Sequence, residues 1–208
     1  WSSDVCSSDL ALGQDIDDAV CEANTRRILE RARQYAGFVR LDMEGSDYTQ
    51  RTLDFFTERL FPEFPDTVGI VLQSALRRTL DDVQWSIGKQ CRVRLCKGAY
   101  KESSRIAYQA RADVDAAFLR LARVLLADGT RPAIATHDPR MHDAVLAFTR
   151  ERSLVASSGS LTRRRRDEIR ARVPGVVFVE LVVDEGAAPP RRSRWRRAKP
   201  VEIGRAHV

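Results

Sequence analysis

The sequence predicts an α/β fold, an incomplete (β/α)8 barrel of the TIM type with about four βα units. Two observations predict it. Four short apolar runs (Phe38 to Asp42, Val68 to Gln73, Arg92 to Lys97 and Ala133 to Thr136) each end in charged or polar residues, and a helix-length amphipathic segment follows each one. The runs recur at intervals of roughly 24–40 residues, the spacing of parallel strands joined by helical crossovers. No Gly-x-Gly-x-x-Gly follows a strand, which argues against a doubly wound dinucleotide-binding sheet.

The elements follow in order. Gln14 to Ala36 reads as a helix, with Ile16, Ala19, Val20, Ala23, Leu29 and Ala32 as its apolar stripe and Gly37 as its C′ stop. Phe38 to Asp42 is the first apolar run. Ser46 is expected to cap the next helix, which carries Tyr48, Thr52, Leu53, Phe56 and Leu60 and ends at Pro62. Val68 to Gln73 is too apolar for a half-exposed strand and fits one buried on both faces. A helix around Thr79 to Ile87 leads to the third run. The helix after it places Val114, Phe118, Leu121 and Leu125 on one face, and Gly129 follows. After the fourth run, Asp138-Pro139 reads as N-cap and N1 of a helix with Met141, Ala144, Val145 and Phe148.

The ends of the chain read differently. Asp4 to Leu10 can be encoded GAC GTG TGC TCT TCC GAT CTN, and the reverse complement of those codons can be read as Glu202 to Val208. Such a pair is expected of a sequencing adapter translated at both ends of a DNA fragment. Residues 1–10 and 202–208 are therefore expected to be adapter-like and to lie outside the fold. Residues 11–155 are expected to be part of a barrel. The regularity fails after Ala156, and residues 156–201 read as frame-shifted or disordered text, with Arg163-Arg-Arg-Arg166 and the run from Pro189 to Arg197.

The chain has 208 residues, 43% hydrophobic and 31% charged, which suits one soluble domain or part of one. No run of 18 apolar residues exists, so no membrane span is expected. The net charge of +6 is concentrated: residues 163–199 hold 12 Lys/Arg against 5 Asp/Glu, and the rest of the chain holds 23 against 24. A basic segment at 163–199 that binds nucleic acid without enzymatic activity is one alternative reading. Cys21, Cys91 and Cys96 lack zinc-type spacing and are expected to be buried free thiols, so no metal is expected.

In a βα barrel the residues at the carboxyl ends of the strands share one site. Asp42, Gln73, Arg94, Lys97, Tyr100 and His137 are therefore the candidates to face a common ligand. Arg94 and Lys97 are three apart, so strand parity points them to opposite sides, with Arg94 toward the barrel interior and Lys97 at the strand end. An interior Arg suits a ligand with delocalised negative charge, such as a reduced flavin. A Schiff-base aldolase barrel with Lys97 as the nucleophilic amine is the second enzymatic alternative.

The motifs Val39-Arg-Leu-Asp-Met-Glu44, Gly69-Ile-Val-Leu-Gln73, Val93-Arg-Leu-Cys-Lys-Gly-Ala-Tyr-Lys-Glu102 and Ile134-Ala-Thr-His-Asp138 resemble, in order and spacing, the proline dehydrogenase family. The resemblance covers about residues 11–155, and its most specific part is the Arg-x-x-Lys-Gly-Ala-Tyr string. It implies a flavin-dependent βα-barrel enzyme of proline catabolism that uses non-covalent FAD, also found in bifunctional proline-utilisation enzymes. L-proline would be oxidised to 1-pyrroline-5-carboxylate and the electrons passed to a quinone. A cytoplasmic protein, at most peripheral to the inner membrane and without a nucleic-acid partner, is implied as well.

By matching position, the resemblance makes Asp42 and Arg94 the catalytic pair, with Arg94 beside the reacting edge of the isoalloxazine. Met43, Gln73, Arg94, Lys97, Gly98, Ala99, Thr136 and His137 would contact FAD, and Tyr100 would pack beside the substrate. A first-strand Lys, a Phe-Glu-Phe-Gln-Met-Leu strand after Ala156 and a closing Arg-Arg pair, all expected of the family, are not recognisable here. Arg191-Arg192 and Arg196-Arg197 sit in the wrong surroundings for that pair. The 208-residue chain alone is accordingly expected to bind flavin poorly and to turn over negligibly.

Overall fold

The computed structural model describes residues 4–8, 12–152, 156–158 and 179–182, with side chains over 12–152. Strands and helices alternate from β1 to β6: β1 (Asp4–Ser8), α1 (Asp18–Gln34), β2 (Phe38–Asp42), α2 (Ser46–Phe55), β3 (Val68–Gln73), α3 (Thr79–Gly88), β4 (Arg92–Cys96), α4 (Arg111–Asp128), β5 (Ala133–Ala135), α5 (Pro139–Glu151) and β6 (Ala156–Ser158), with a further strand β7 (Val179–Val182). All the strands pair in parallel, in one seven-stranded sheet of order β1-β2-β3-β4-β5-β7-β6. From β1 to β5 each strand lies beside its sequence neighbour, the winding of a βα barrel.

The four expected strands are present, and three more join them. Residues 4–8 pair with β2 in register from Asp4 opposite Phe38 to Ser8 opposite Asp42. Residues 179–182 insert between β5 and 156–158. The unpaired N–H and C=O groups of a sheet edge accept any extended segment, whatever its side chains. The remainder of the Arg-rich segment 163–199, with Arg191-Arg192 and Arg196-Arg197, and residues 202–208 lie outside the described residues.

Strand alternation divides the sheet into two faces. Leu41, Ile70, Leu72, Val93, Leu95 and Ile134 bury one face against Leu29, Leu53, Val83, Phe118, Leu121 and Leu125 of the helices. Each such side chain contributes roughly 1.5–3 kcal/mol on burial. The other parity carries Arg40, Asp42, Gly69, Val71, Gln73, Arg92, Arg94 and Cys96. All six residues of β3 are buried, as its composition predicts.

The helix ends depart from expectation in two places. Helix α1 begins at Asp18, because Asp17 caps it by accepting from the amides of Ala19 and Val20. Ile16 is left in a preceding turn, 83% exposed, and the buried stripe is Cys21, Thr25 and Leu29. At its other end Ala36, with φ +50°, takes the C′ position assigned to Gly37, and the Gly37 amide bonds the Ala32 carbonyl at 2.7 Å. Ser46 is the first residue of α2 rather than its cap, and α2 runs on into a π-helical turn at Phe56–Leu60. Among the described residues, no helix is long and apolar enough to cross a membrane.

Candidate functional site

The carboxyl ends of β2 to β5 open into one cleft of about 790 Å³. Every residue singled out from the sequence lines it: Asp42, Met43, Gln73, Arg94, Lys97, Gly98, Ala99, Tyr100, Thr136 and His137. Strand parity explains the convergence. Val71 is opposite Arg94 and Gln73 opposite Cys96 in the β3–β4 register, so these side chains stand in two successive layers on the interior face. One step beyond the paired Leu41 and Ile70, Asp42 comes level with Val71. Asp42, Val71 and Arg94 thus form a layer, and Arg94 Nη2 donates to Asp42 Oδ1. The pair is partly buried, with the Arg94 side chain 20% and the Asp42 side chain 37% exposed.

Gln73 is buried and fixed from two sides. Its side-chain amide donates to the carbonyls of Glu44 at 2.8 Å and Met43 at 3.4 Å, and its backbone carbonyl accepts from Thr79 Oγ1 at 2.5 Å. The chain then passes close to it at Gly98, whose φ is +101°. A Cβ on Gly98 would lie 2.7 Å from Gln73 Oε1, so only glycine satisfies both the dihedral and the contact.

Lys97 stands at the end of β4, away from Arg94, as its parity predicts. Its ammonium donates to Asp115 of α4 and, at 3.2 Å, to Asp138. Asp138 is the N-cap of α5, accepting from the Arg140 amide at 3.1 Å, and it also pairs with Arg111 and Arg140. Hydrogen bonds from Arg140, Lys97 and Arg111 hold its carboxyl well below the usual carboxylate range. Two carboxylates engage the Lys97 amine, an environment unlike the apolar pocket that makes a lysine nucleophilic.

Thr136 is buried, and its hydroxyl accepts from the Asp138 amide at 3.1 Å. His137 is exposed at the mouth of the cleft. Tyr100 is 48% exposed and donates its hydroxyl to Glu44, which raises the phenol pKa. Cys96 lies on the cleft floor with Val71 and Ala135, and burial pushes its thiol up to about 11.

Glu44, Arg111, Asp115 and Asp138 belong to the site and were not among the candidates. Asp115 could have been suspected from its i, i+4 relation to Arg111, the charge pattern of a helix face. Its contact with Lys97 spans 18 residues and has no local signature. No group of three or more potential metal ligands occurs among the described residues.

Residues 4–162 match the family profile described as Proline dehydrogenase. The chain is 36% identical over 144 residues to proline dehydrogenase 2 of Bacillus subtilis, a match covering 69% of this chain and 47% of that protein. It is 41% identical over 126 residues to a proline dehydrogenase of Deinococcus radiodurans, covering 60% and 40% respectively. Among solved structures it resembles proline utilization A from Bdellovibrio bacteriovorus inactivated by N-propargylglycine, with a TM-score of 0.66 and 25% identity over 86% of this chain and 22% of that one. The chain spans about half the length of the curated relatives it matches.

Proposed function

Because the chain belongs to the proline dehydrogenase family, we propose that its cleft is the flavin and substrate site of an enzyme oxidising L-proline to 1-pyrroline-5-carboxylate. The observation that carries this reading is the Arg94–Asp42 pair, set on one layer of parallel strands within a single cleft that all the sequence candidates line.

The donor set fits FAD. Val71, Cys96 and Ala135 give a floor of small, weakly polar groups on which a flat ring can lie. Around them stand a guanidinium, an ammonium, an imidazole and a carboxamide, donors suited to the polar edge and the phosphates of a dinucleotide. Gly98 leaves open the approach that a Cβ would fill. Met43, Gln73, Arg94, Lys97, Gly98, Ala99, Thr136 and His137 would hold the cofactor, and FAD bound there would take the hydride equivalent from the substrate.

The protein's own groups orient and polarise. Arg94 places a delocalised cation where negative charge develops, oriented by its hydrogen bond to Asp42, so little reorganisation is needed during reaction. Asp115 and Asp138 hold Lys97 at the strand end, ready for an anionic group. Tyr100 presents its ring to the cyclic substrate while its hydroxyl donates a hydrogen bond to Glu44. Transfer of the electrons to a quinone is part of the same proposal.

The test compares the 208-residue chain with a hybrid in which residues 12–152 replace the matching segment of the Deinococcus radiodurans proline dehydrogenase. The hybrid is expected to purify with bound flavin and to reduce a dye, and then a quinone, in the presence of proline. The chain alone, whose described residues form seven strands rather than a closed barrel of eight, is expected to do neither. A folded hybrid that is colourless and inactive overturns the assignment, and a yellow, active 208-residue chain overturns the need for closure.

A further inference from the structure

Helix α2 starts without a cap of its own. Its N-cap residue is Gly45, which has no side chain to accept a hydrogen bond. The first turn is instead satisfied from another loop: Glu102, 56 residues further along, accepts from the Ser46 amide through Oε1 and from Ser46 Oγ through Oε2, both at 2.7 Å. The connections are in close contact here. A Cβ on Gly45 would meet Glu102 Oε1 at 3.6 Å and Tyr100 Cδ1 at 4.0 Å.

The segment carrying Tyr100 has no regular structure between β4 and residue 103. It pivots at Gly98, and the Ala75 amide holds the Lys97 carbonyl at 2.9 Å just before the pivot. Past the pivot, two side-chain links tie it to the β2–α2 connection: the Tyr100 hydroxyl on Glu44 and the Glu102 carboxylate on Ser46. A single hydrogen bond at the tip of a half-exposed ring does not fix a backbone. A carboxylate with both oxygens engaged at a helix N-terminus does, because both bonds are charge-assisted and the helix dipole favours the anion.

We infer that Glu102 is a positioning residue, clamping the β4–α4 connection onto the start of α2 so that Tyr100 is held over the cleft with its hydroxyl on Glu44. The value of that placement to a cyclic substrate rests on the function proposed above; the clamp itself does not. Ser46 also holds the Glu102 carboxyl below the usual range, so the group is an anion where the clamp is needed.

The experiment reads Tyr100 directly, in the whole chain labelled with carbon-13 at tyrosine Cζ, with its signal assigned by Tyr100→Phe. The wild-type phenol is expected to titrate above an ordinary tyrosine because of its bond to Glu44, with the Glu44 and Asp42 charges facing it. Glu102→Ala is expected to bring that midpoint down toward the ordinary value. Tyr48, in α2 against Asp15, serves as the control and is expected to keep its own midpoint. Glu102→Gln, which keeps one acceptor oxygen for the Ser46 amide but loses the charge, is expected to restore Tyr100 in part. Ser46→Ala, which removes one of the two bonds, is expected to lower the midpoint in part, and it decides the matter should Glu102→Ala not fold. An unchanged Tyr100 in the folded variants, or Tyr48 and Tyr100 moving together as a frayed α2 would make them, overturns the inference. Absence of flavin from the hybrid would refute the proposed function and leave this titration unaffected.

Discussion

Arg94 and Asp42 meet across an intervening strand, with Val71 of β3 between the two strands that carry them. The bond therefore forms only if β2, β3 and β4 hold their parallel register, since a slip of one residue turns either side chain to the helix face. Substitution is expected to cost little stability, about 1 kcal/mol, because both side chains remain partly solvated. In the hybrid, Arg94→Lys loses the planar fork, and proline-dependent dye reduction is expected to fall on the order of 100-fold. Asp42→Asn is expected to slow the same step while flavin content holds. Rates within about threefold of the parent for both variants would remove the pair from the reaction.

Gly98→Ala tests the pivot beside Gln73. The substitution forces an L-residue into φ +101° and drives a methyl to 2.7 Å from a buried carboxamide oxygen that hydrogen bonds fix in place. The expected loss is about 1–3 kcal/mol in a denaturant titration. Gly88→Ala is the comparison, since a Cβ there meets nothing within 4 Å and lies at a helix end. Equal stability of the two variants would show that the Gly98 dihedral is not imposed by the fold.

The strand ends were legible in the sequence because each strand changes from apolar to polar at the point where it leaves the core. Val68 to Gln73 and Arg92 to Cys96 needed only parity to place Gln73 and Arg94 on the interior face. Asp138-Pro139 marked the start of α5 because cap and N1 chemistry are local. Helix α1 was harder: Ile16 and Val20 extend the apolar pattern, but the Asp17 cap sets the start and turns them outward. Ser46 looked like a cap because the residue type fits, whereas the acceptor that satisfies this turn is Glu102. Lys97 with Asp115 was invisible for the same reason, since contacts between separate loops leave no periodicity.

The described thiols are expected to resist modification. Burial pushes Cys91 up to about 12 and Cys96 to about 11, while Cys21 is wholly buried. Only the thiolate reacts, so iodoacetamide at pH 8 should leave all three unlabelled in the folded chain and label them in denaturant, as read by peptide mass spectrometry. Cys96 is the discriminating site because it lines the cleft. Rapid labelling there in the native chain would show that the cleft floor opens to solvent.

Asp138 should give the chain an acid-sensitive component of stability. Its carboxyl pKa is lowered in the folded state by Arg140, Lys97 and Arg111 relative to about 3.9 in an unfolded chain. The unfolded state therefore binds the proton more readily, so the contribution is complete above about pH 5 and is lost as pH falls toward the folded-state value. Asp138→Asn keeps an acceptor for the Arg140 amide, since Asn caps helices as well as Asp does, but it removes the charge shared by the three cations. The variant is expected to be less stable than wild type at neutral pH, with the difference shrinking below about pH 4. Thermal melts at pH 7, 5 and 3 read this directly. A difference that stays constant across that range would show that the ion cluster at the head of α5 contributes nothing through its charge.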